Sequence, residues 1–287
     1  MRRMRQKKVT AVQKLYDTCR EVFANCGPGV VPPPQGIELL KDILNGMTAS
    51  DVGVWPNMPY FKVKETSRFP KITYLHLSEC DKFSIGIFLL PPSGVLPLHN
   101  HPQMTVFSKL LFGTMHIKSY DWVDDGASIS MPKSNSSKGE VGPISVRIAK
   151  LKVNSAFAAP CNTSILYPTD GGNMHCFTAI TSCAVLDVLC PPYCDPEGRH
   201  CQYYRTHPFT FFFRIDNLKW SSGVEFLADA RRLQVPPPPQ PQPPPPAADH
   251  HIPIHYRLRL LALSLRQRGI TVDKDVNAFK EEIDEGF

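Results

Sequence analysis

Between residues 10 and 25, apolar side chains recur every three or four positions, at Val12, Leu15, Cys19, Val22 and Phe23. That period gathers them on one stripe and predicts an amphipathic helix. A second, shorter helix is expected over 36–47, carried by Ile37, Leu40, Ile43, Leu44 and Met47 after the Pro32-Pro33-Pro34 breaker. From about residue 60 to 190 the rhythm changes. Short β-rich runs such as KITYLHL, FSIGIFLL, TVFSKLLFG, SVRIAKLKV, HCFTAIT and CAVLDVL alternate with Pro, Gly, Asn and Asp. Such spacing predicts a mainly β sandwich or barrel. Residues 126–143, GASISMPKSNSSKGEVGP, are polar and Ser/Gly-rich and are expected to form a mobile loop.

The last quarter breaks the pattern. Residues 236–246 read PPPPQPQPPPP, a polyproline rod or unstructured linker that cannot donate ladder hydrogen bonds. Beyond it only weakly helical runs follow. The expected organisation is a basic flexible arm over 1–9, a helical segment over 10–58, the β domain over 59–214 and a divergent tail over 215–287. No internal repeat is visible.

Composition narrows the class. At 287 residues and 42% hydrophobic content the chain can build a real core, which argues against wholesale disorder. No run of eighteen apolar residues occurs, so no membrane-spanning helix is expected. The opening MRRMRQKK is basic but leads into QKLYDTCREV rather than an apolar h-region, so secretion is not expected. The formal charge of +6 is concentrated in that opening, and the rest is near neutral. A nucleic-acid groove is therefore not indicated. Nine irregularly spaced cysteines read as reduced, mostly buried thiols of an intracellular protein.

The chemistry lies in FLLPPSGVLPLHNHPQMTVFSKLLFG (88–113) and YPTDGGNMHCFTA (167–179). His99 and His101 are spaced i,i+2, which in a strand puts both side chains on one face. Two imidazoles converging inside a barrel are costly unless something uses their lone pairs, and a divalent metal does. His175, after the Gly171-Gly172 turn, is the candidate third ligand. The other histidines, among them His76, His116, His200 and His207, share no spacing with this set and read as structural or exposed. Asp121 and Trp122 read as a packing unit.

These segments resemble the two motifs of the cupins, where an HxH pair is followed by Glu and a distant strand supplies a last His. Here the glutamate slot falls at Thr105 or Val106, neither a carboxylate. Three neutral ligands leave a ferrous ion its full charge and favour an anionic co-ligand, for which a thiolate is suited. A thiol can also supply all the electrons needed to place two oxygen atoms on its own sulfur, giving a sulfinic acid.

The longer words PLHNHPQMTVFSKLLFGTMHIKSYDW, APCNTSILYPTDGGNMHCFTA and CAVLDVLCPPYCDPEGRHCQYY resemble the plant cysteine oxidases. Those enzymes are part of the wider thiol dioxygenase family that includes 2-aminoethanethiol dioxygenase. QKLYDTCREVF and DVGVWPNMPYF are similar too, so the likeness runs over about residues 10–208, after which the chain departs from the family's pattern.

The resemblance implies a cupin-type double-stranded β-helix (jelly roll) with N-terminal helices. It implies one Fe(2+) held by His99, His101 and His175, with O2 as co-substrate. The expected activity is oxidation of N-terminal cysteine in proteins to cysteine sulfinic acid. Substrates such as group VII ethylene-response transcription factors would then enter the N-degron pathway in the hypoxia response. Asp187 is expected to receive the substrate α-ammonium or to orient a ligand histidine, and Tyr193 to hydrogen-bond substrate or oxygen. Related animal enzymes carry a cysteine–tyrosine crosslink, and Cys190 lies close to Tyr193 in sequence. A monomer in nucleus and cytoplasm is expected, with no direct nucleic-acid or membrane partner. The alternatives are a small-thiol dioxygenase acting on cysteamine or cysteine, and a non-catalytic metal-binding cupin scaffold.

Overall fold

Helix α1 (Ala11–Val22) begins where Thr10 Oγ1 accepts a hydrogen bond from the Gln13 backbone N–H (3.1 Å). This satisfies one of the donors a helix start leaves free. Its buried face presents Leu15 and Cys19, with Phe23 following at the cap. Helix α2 (Pro34–Gly46) starts two residues earlier than the apolar stripe suggests, with Pro34 as its first residue. A proline fits there because that N–H has no helical partner in any case. The computed structural model describes residues 9–62, 70–123, 129–131, 144–208 and 224–229. The basic arm up to residue 8, the polyproline stretch and most of the Ser/Gly-rich 126–143 segment lie outside these residues, as do His250, His251 and His255.

Apart from three short 3-10 turns and the connecting loops, the other described residues form two antiparallel sheets. In the first, β1 (Thr73–Glu79) pairs with β2 (Ser84–Leu90), which pairs with β10 (Cys183–Cys190). The order continues through β4 (Thr105–Phe112) to β8 (Ser164–Leu166). The second runs β11 (Tyr204–Pro208), β12 (Val224–Asp229), β7 (Ile144–Ala158), β5 (Thr114–Trp122), β9 (Met174–Ala179) and β3 (Val95–His99). A short β6 (Ile129–Met131) also pairs with β7.

The chain changes sheet between β2 and β3, β3 and β4, β4 and β5, β7 and β8, β8 and β9, β9 and β10, and β10 and β11. This winding makes the cupin-type double-stranded β-helix. Gly113, at φ 96°, turns the chain between β4 and β5 where a Cβ would collide with the Ser182 carbonyl.

Two segments differ from the sequence reading. Ile129-Ser130-Met131, inside the expected loop, alternates apolar and polar residues and pairs with β7. Val224–Asp229, inside the expected tail, pairs with both β7 and β11. The sheet therefore continues past residue 214, because the open edge of β7 takes a strand from beyond that boundary.

The core has two parts. Both helices cover the outer face of the first sheet, where Phe23 meets Phe83 (5.8 Å between ring centroids) and Phe107 (6.2 Å). Between the sheets, Leu90, Leu110, Met115, Phe177 and Val185 form a second apolar cluster. Beside it lies a cavity of about 280 Å³ lined from both sheets, including Ser108, Ile117, Ser119, Val153, Phe157, Cys161, His175 and Val185. His175 opens onto it.

Candidate metal centre

His99 is the last residue of β3 and sits opposite His175 in the β3–β9 pairing. Strand β3 lies at the end of its sheet, which accommodates Pro97, a residue with no N–H to donate. His101 lies past the strand, so its convergence with His99 does not come from strand alternation as expected. The chain bends instead: Asn100 N–H donates to Gln202 O (3.1 Å), and Asn100 Oδ1 accepts from Gln202 N–H (3.0 Å). Met104 N–H donates back to His101 O (3.2 Å).

The three imidazoles nevertheless meet. Ring centroids are 4.6 Å apart for His99–His175, 5.0 Å for His99–His101 and 5.1 Å for His101–His175. One ring nitrogen from each lies within 4.8 Å of the others, and all three residues are buried. Burial lowers the pKa of His99 to about 4, partly offset by its hydrogen bonds to backbone. Burial, followed by the like charge of neighbouring rings, holds His101 and His175 well below the ordinary value. All three are neutral at pH 7 and keep a lone pair to offer.

Hydrogen bonds choose the tautomers. His99 Nδ1 donates to Pro97 O at 2.8 Å. Tyr193 Oη donates to Asn100 O (2.8 Å), so it accepts from His101 Nδ1 (2.8 Å). In both rings Nε2 therefore carries the lone pair. His101 Nε2 and His175 Nδ1 are buried with no hydrogen-bond partner among the described residues. Buried polar atoms left unpaired are destabilising, and a cation at the centre removes that cost. The donor set fits a metal. Among the described residues the cluster contains no carboxylate, and Thr105 and Val106 are both buried on β4.

Asp187 sits on β10 opposite Ser108, whose hydroxyl donates to Asp187 Oδ1 at 2.7 Å. It shares a strand face with Val185, which lines the cavity. Burial raises its pKa to about 7, with the Ser108 hydrogen bond opposing. The contact that orients a ligand ring belongs to Tyr193, whose hydroxyl is taken up by His101 and Asn100, while Asp187 is held by Ser108. Burial, then the neighbouring Cys201, keeps the Tyr193 hydroxyl well above its ordinary pKa. The thiol beside Tyr193 is accordingly that of Cys201, and the Cys190 thiol hydrogen-bonds Cys26 on the helical side.

Two residues escaped sequence reasoning. Asp121 and Trp122 do not pack as a unit, since consecutive strand residues point to opposite faces. Trp122 meets Tyr204 edge-on and carries the Arg147 guanidinium over its ring, whereas buried Asp121 accepts from the backbone N–H of Gly172 (2.9 Å) and Asn173 (3.1 Å). Asp121 thereby holds the turn ahead of His175, where Gly172, at φ 82°, leaves no room for a Cβ against Ser119. Asn173 reaches across to His101. The signal was a polar residue wedged between a glycine pair and a buried strand. His76, His116 and His200 are half-buried and stand outside the cluster.

A β-helical barrel enclosing three neutral imidazoles defines a metal-binding cupin. The family model PCO_ADO matches residues 43–236, and the chain belongs to that family. It is 62% identical to Plant cysteine oxidase 1 of Arabidopsis thaliana over 203 residues, 70% of this chain and 65% of that protein. The chain thus spans somewhat under two thirds of that relative's length. It is 58% identical to Plant cysteine oxidase 2 of the same plant over 211 residues, covering 74% and 72% of the two chains. A RmlC-like cupin from Shewanella frigidimarina is similar in structure at a TM-score of 0.29 and 12% identity, over 49% of this chain and 98% of that one.

Proposed function

We propose that the protein is an iron-dependent thiol dioxygenase that oxidises the N-terminal cysteine of proteins to cysteine sulfinic acid. The observation that carries this reading is the buried all-imidazole cradle without a carboxylate, in a chain whose relatives are plant cysteine oxidases. Ferrous iron bound there supplies Lewis acidity toward a thiolate and redox chemistry toward O2. In the net reaction both atoms of O2 end on sulfur, which provides all the electrons.

The chain's own residues arrange the rest. Tyr193 and Pro97 hold the His101 and His99 rings so that Nε2 faces inward. The largely apolar cavity beside His175 limits water around the substrate. Ionised Asp187, on the cavity side of β10, receives the α-ammonium of the substrate. Group VII ethylene-response transcription factors as substrates, the N-degron and hypoxia roles, and residence in nucleus and cytoplasm follow from the same family resemblance.

None of the residues lining the cavity is Arg or Lys. Free cysteine would bring a carboxylate that meets no cation among the described lining residues, so a peptide or an aminothiol is favoured. Oxygen consumption and product mass are to be compared for a Cys-initiating peptide, cysteamine and free cysteine. The peptide is expected to react fastest and gain about 32 Da, the two oxygens of a sulfinic acid. Faster turnover of cysteamine would assign the small-thiol activity instead, and no product in any arm would leave a metal-binding scaffold.

A further inference from the structure

Of the three ligand histidines, His99 and His175 lie in strands whose ladder fixes their backbone, and His101 does not. Besides the Met104 N–H that reaches its carbonyl, what holds the backbone at 101 is a side chain. Asn173 Oδ1 accepts from the His101 backbone N–H at 2.9 Å, and Asn173 Nδ2 donates to the His101 carbonyl at 2.9 Å. The carboxamide thus pairs with residue 101 as a strand partner would, using one donor and one acceptor. Its second N–H donates to Tyr167 O at 2.8 Å, just after β8. Both donors are therefore committed, and the side chain is buried.

The clamp is itself anchored. Asp121 Oδ1 accepts from the Asn173 backbone N–H, and its other oxygen is 3.4 Å from Lys152 Nζ. Since Asn173 lies two residues before His175 in sequence, one residue ties the two halves of the donor set together.

We propose that Asn173 is a positioning residue that sets the separation of His101 and His175, and through it the affinity and geometry of the metal centre. The proposal rests on the three histidines being a metal site, and is independent of which thiol is oxidised. Asn45 is a useful comparator, because its Oδ1 likewise accepts two hydrogen bonds, from Thr163 N–H (2.7 Å) and Thr163 Oγ1 (2.9 Å), without touching a ligand histidine.

The test loads the full-length chain with Co(II) and reads its visible ligand-field bands and its affinity in competition with a chelator. Asn173→Ala is expected to shift the bands and weaken binding by about 10–100-fold, the range seen when partners of metal ligands are lost. Asn173→Gln keeps the amide but moves it by one methylene. It is expected to melt closer to the wild type than Asn173→Ala and still bind weakly. Asn45→Ala is expected to lower the melting temperature with bands and affinity unchanged.

An Asn173→Ala protein within twofold of wild-type affinity would overturn the clamp. So would full affinity in Asn173→Gln, or an equal loss in Asn45→Ala. A wild-type chain that holds neither Co(II) nor Fe(II) would overturn both clamp and metal centre. A wild type that binds metal yet leaves every thiol unoxidised would overturn only the proposed activity, and the clamp would stand or fall on the variants.

Discussion

On the outer face of β10, Ala184, Leu186, Val188 and Cys190 press into the apolar layer under α1 and α2. On its inner face, Cys183, Val185 and Leu189 share the barrel interior with Asp187. Both faces are buried, and burial acts on a titratable group in each. It pushes the Cys190 thiol up to about 12 and the Asp187 carboxyl up to about 7. The first shift leaves a thiol neutral at every physiological pH, an inert packing group. The second places a carboxyl at the edge of ionisation beside a cavity. Desolvation of similar kind yields structure on one side and chemistry on the other, because the two groups start from different intrinsic acidities.

The sharpest way to break this contrast is to delete one residue from each face of the fold. His175→Ala is expected to lose metal by more than the 10–100-fold typical of lost partners of metal ligands, as read by metal analysis of the folded protein. Leu186→Ala opens a cavity in the outer core, so urea melts should show a loss of about 2–5 kcal/mol with metal content per folded molecule unchanged. If Leu186→Ala emptied the site as well, the two faces would not be separable.

A comparable effect, spread over pH, should appear in the metal-free chain. The carboxyl of Asp187 has a higher pKa folded (about 7) than in its ordinary state (3.8), so the folded chain holds its proton longer. Its contribution therefore favours folding most below about pH 4 and is lost as pH rises toward 7. At about 1.4 kcal/mol per pKa unit, the span is on the order of 4 kcal/mol. The three buried histidines, with lowered pKa, push stability the opposite way in both proteins, so the test is the difference. The stability advantage of the wild type over Asp187→Asn in urea melts should fall as pH rises from 4 to 7, and a pH-independent difference would place the titration elsewhere. The smallest effect concerns reactivity alone. In the native protein, iodoacetamide should label half-buried Cys161 on the cavity wall well before buried, protonated Cys190, by peptide mass analysis.

The helices were legible because an apolar stripe at 3.6-residue period survives any packing that buries it. The strands of the barrel were legible from their alternation and their turn residues. His99, His101 and His175 were legible as candidates from their spacing and the glycine turn, and as an iron site only through the family resemblance of the segments around them. Val224–Asp229 was not legible: a single apolar run followed by prolines carries no mark of the partner strand that accepts it.

The contacts of Asn173, Asp121 and Tyr193 were hidden for a related reason. Their hydrogen bonds span 72, 51 and 92 residues of sequence, and only folding brings those ends together.

What the chain by itself determined, then, is the inventory: two amphipathic helices, a run of strands, and three neutral nitrogen donors with no carboxylate in the expected slot. The tertiary structure decided how those donors are aimed. His101 stands outside its strand, so its backbone is bonded by Asn173 and Met104 and its ring by Tyr193. Whether Asp187 titrates near neutrality was likewise decided by the water that folding removes from around it, since desolvation belongs to an enclosure and not to a residue.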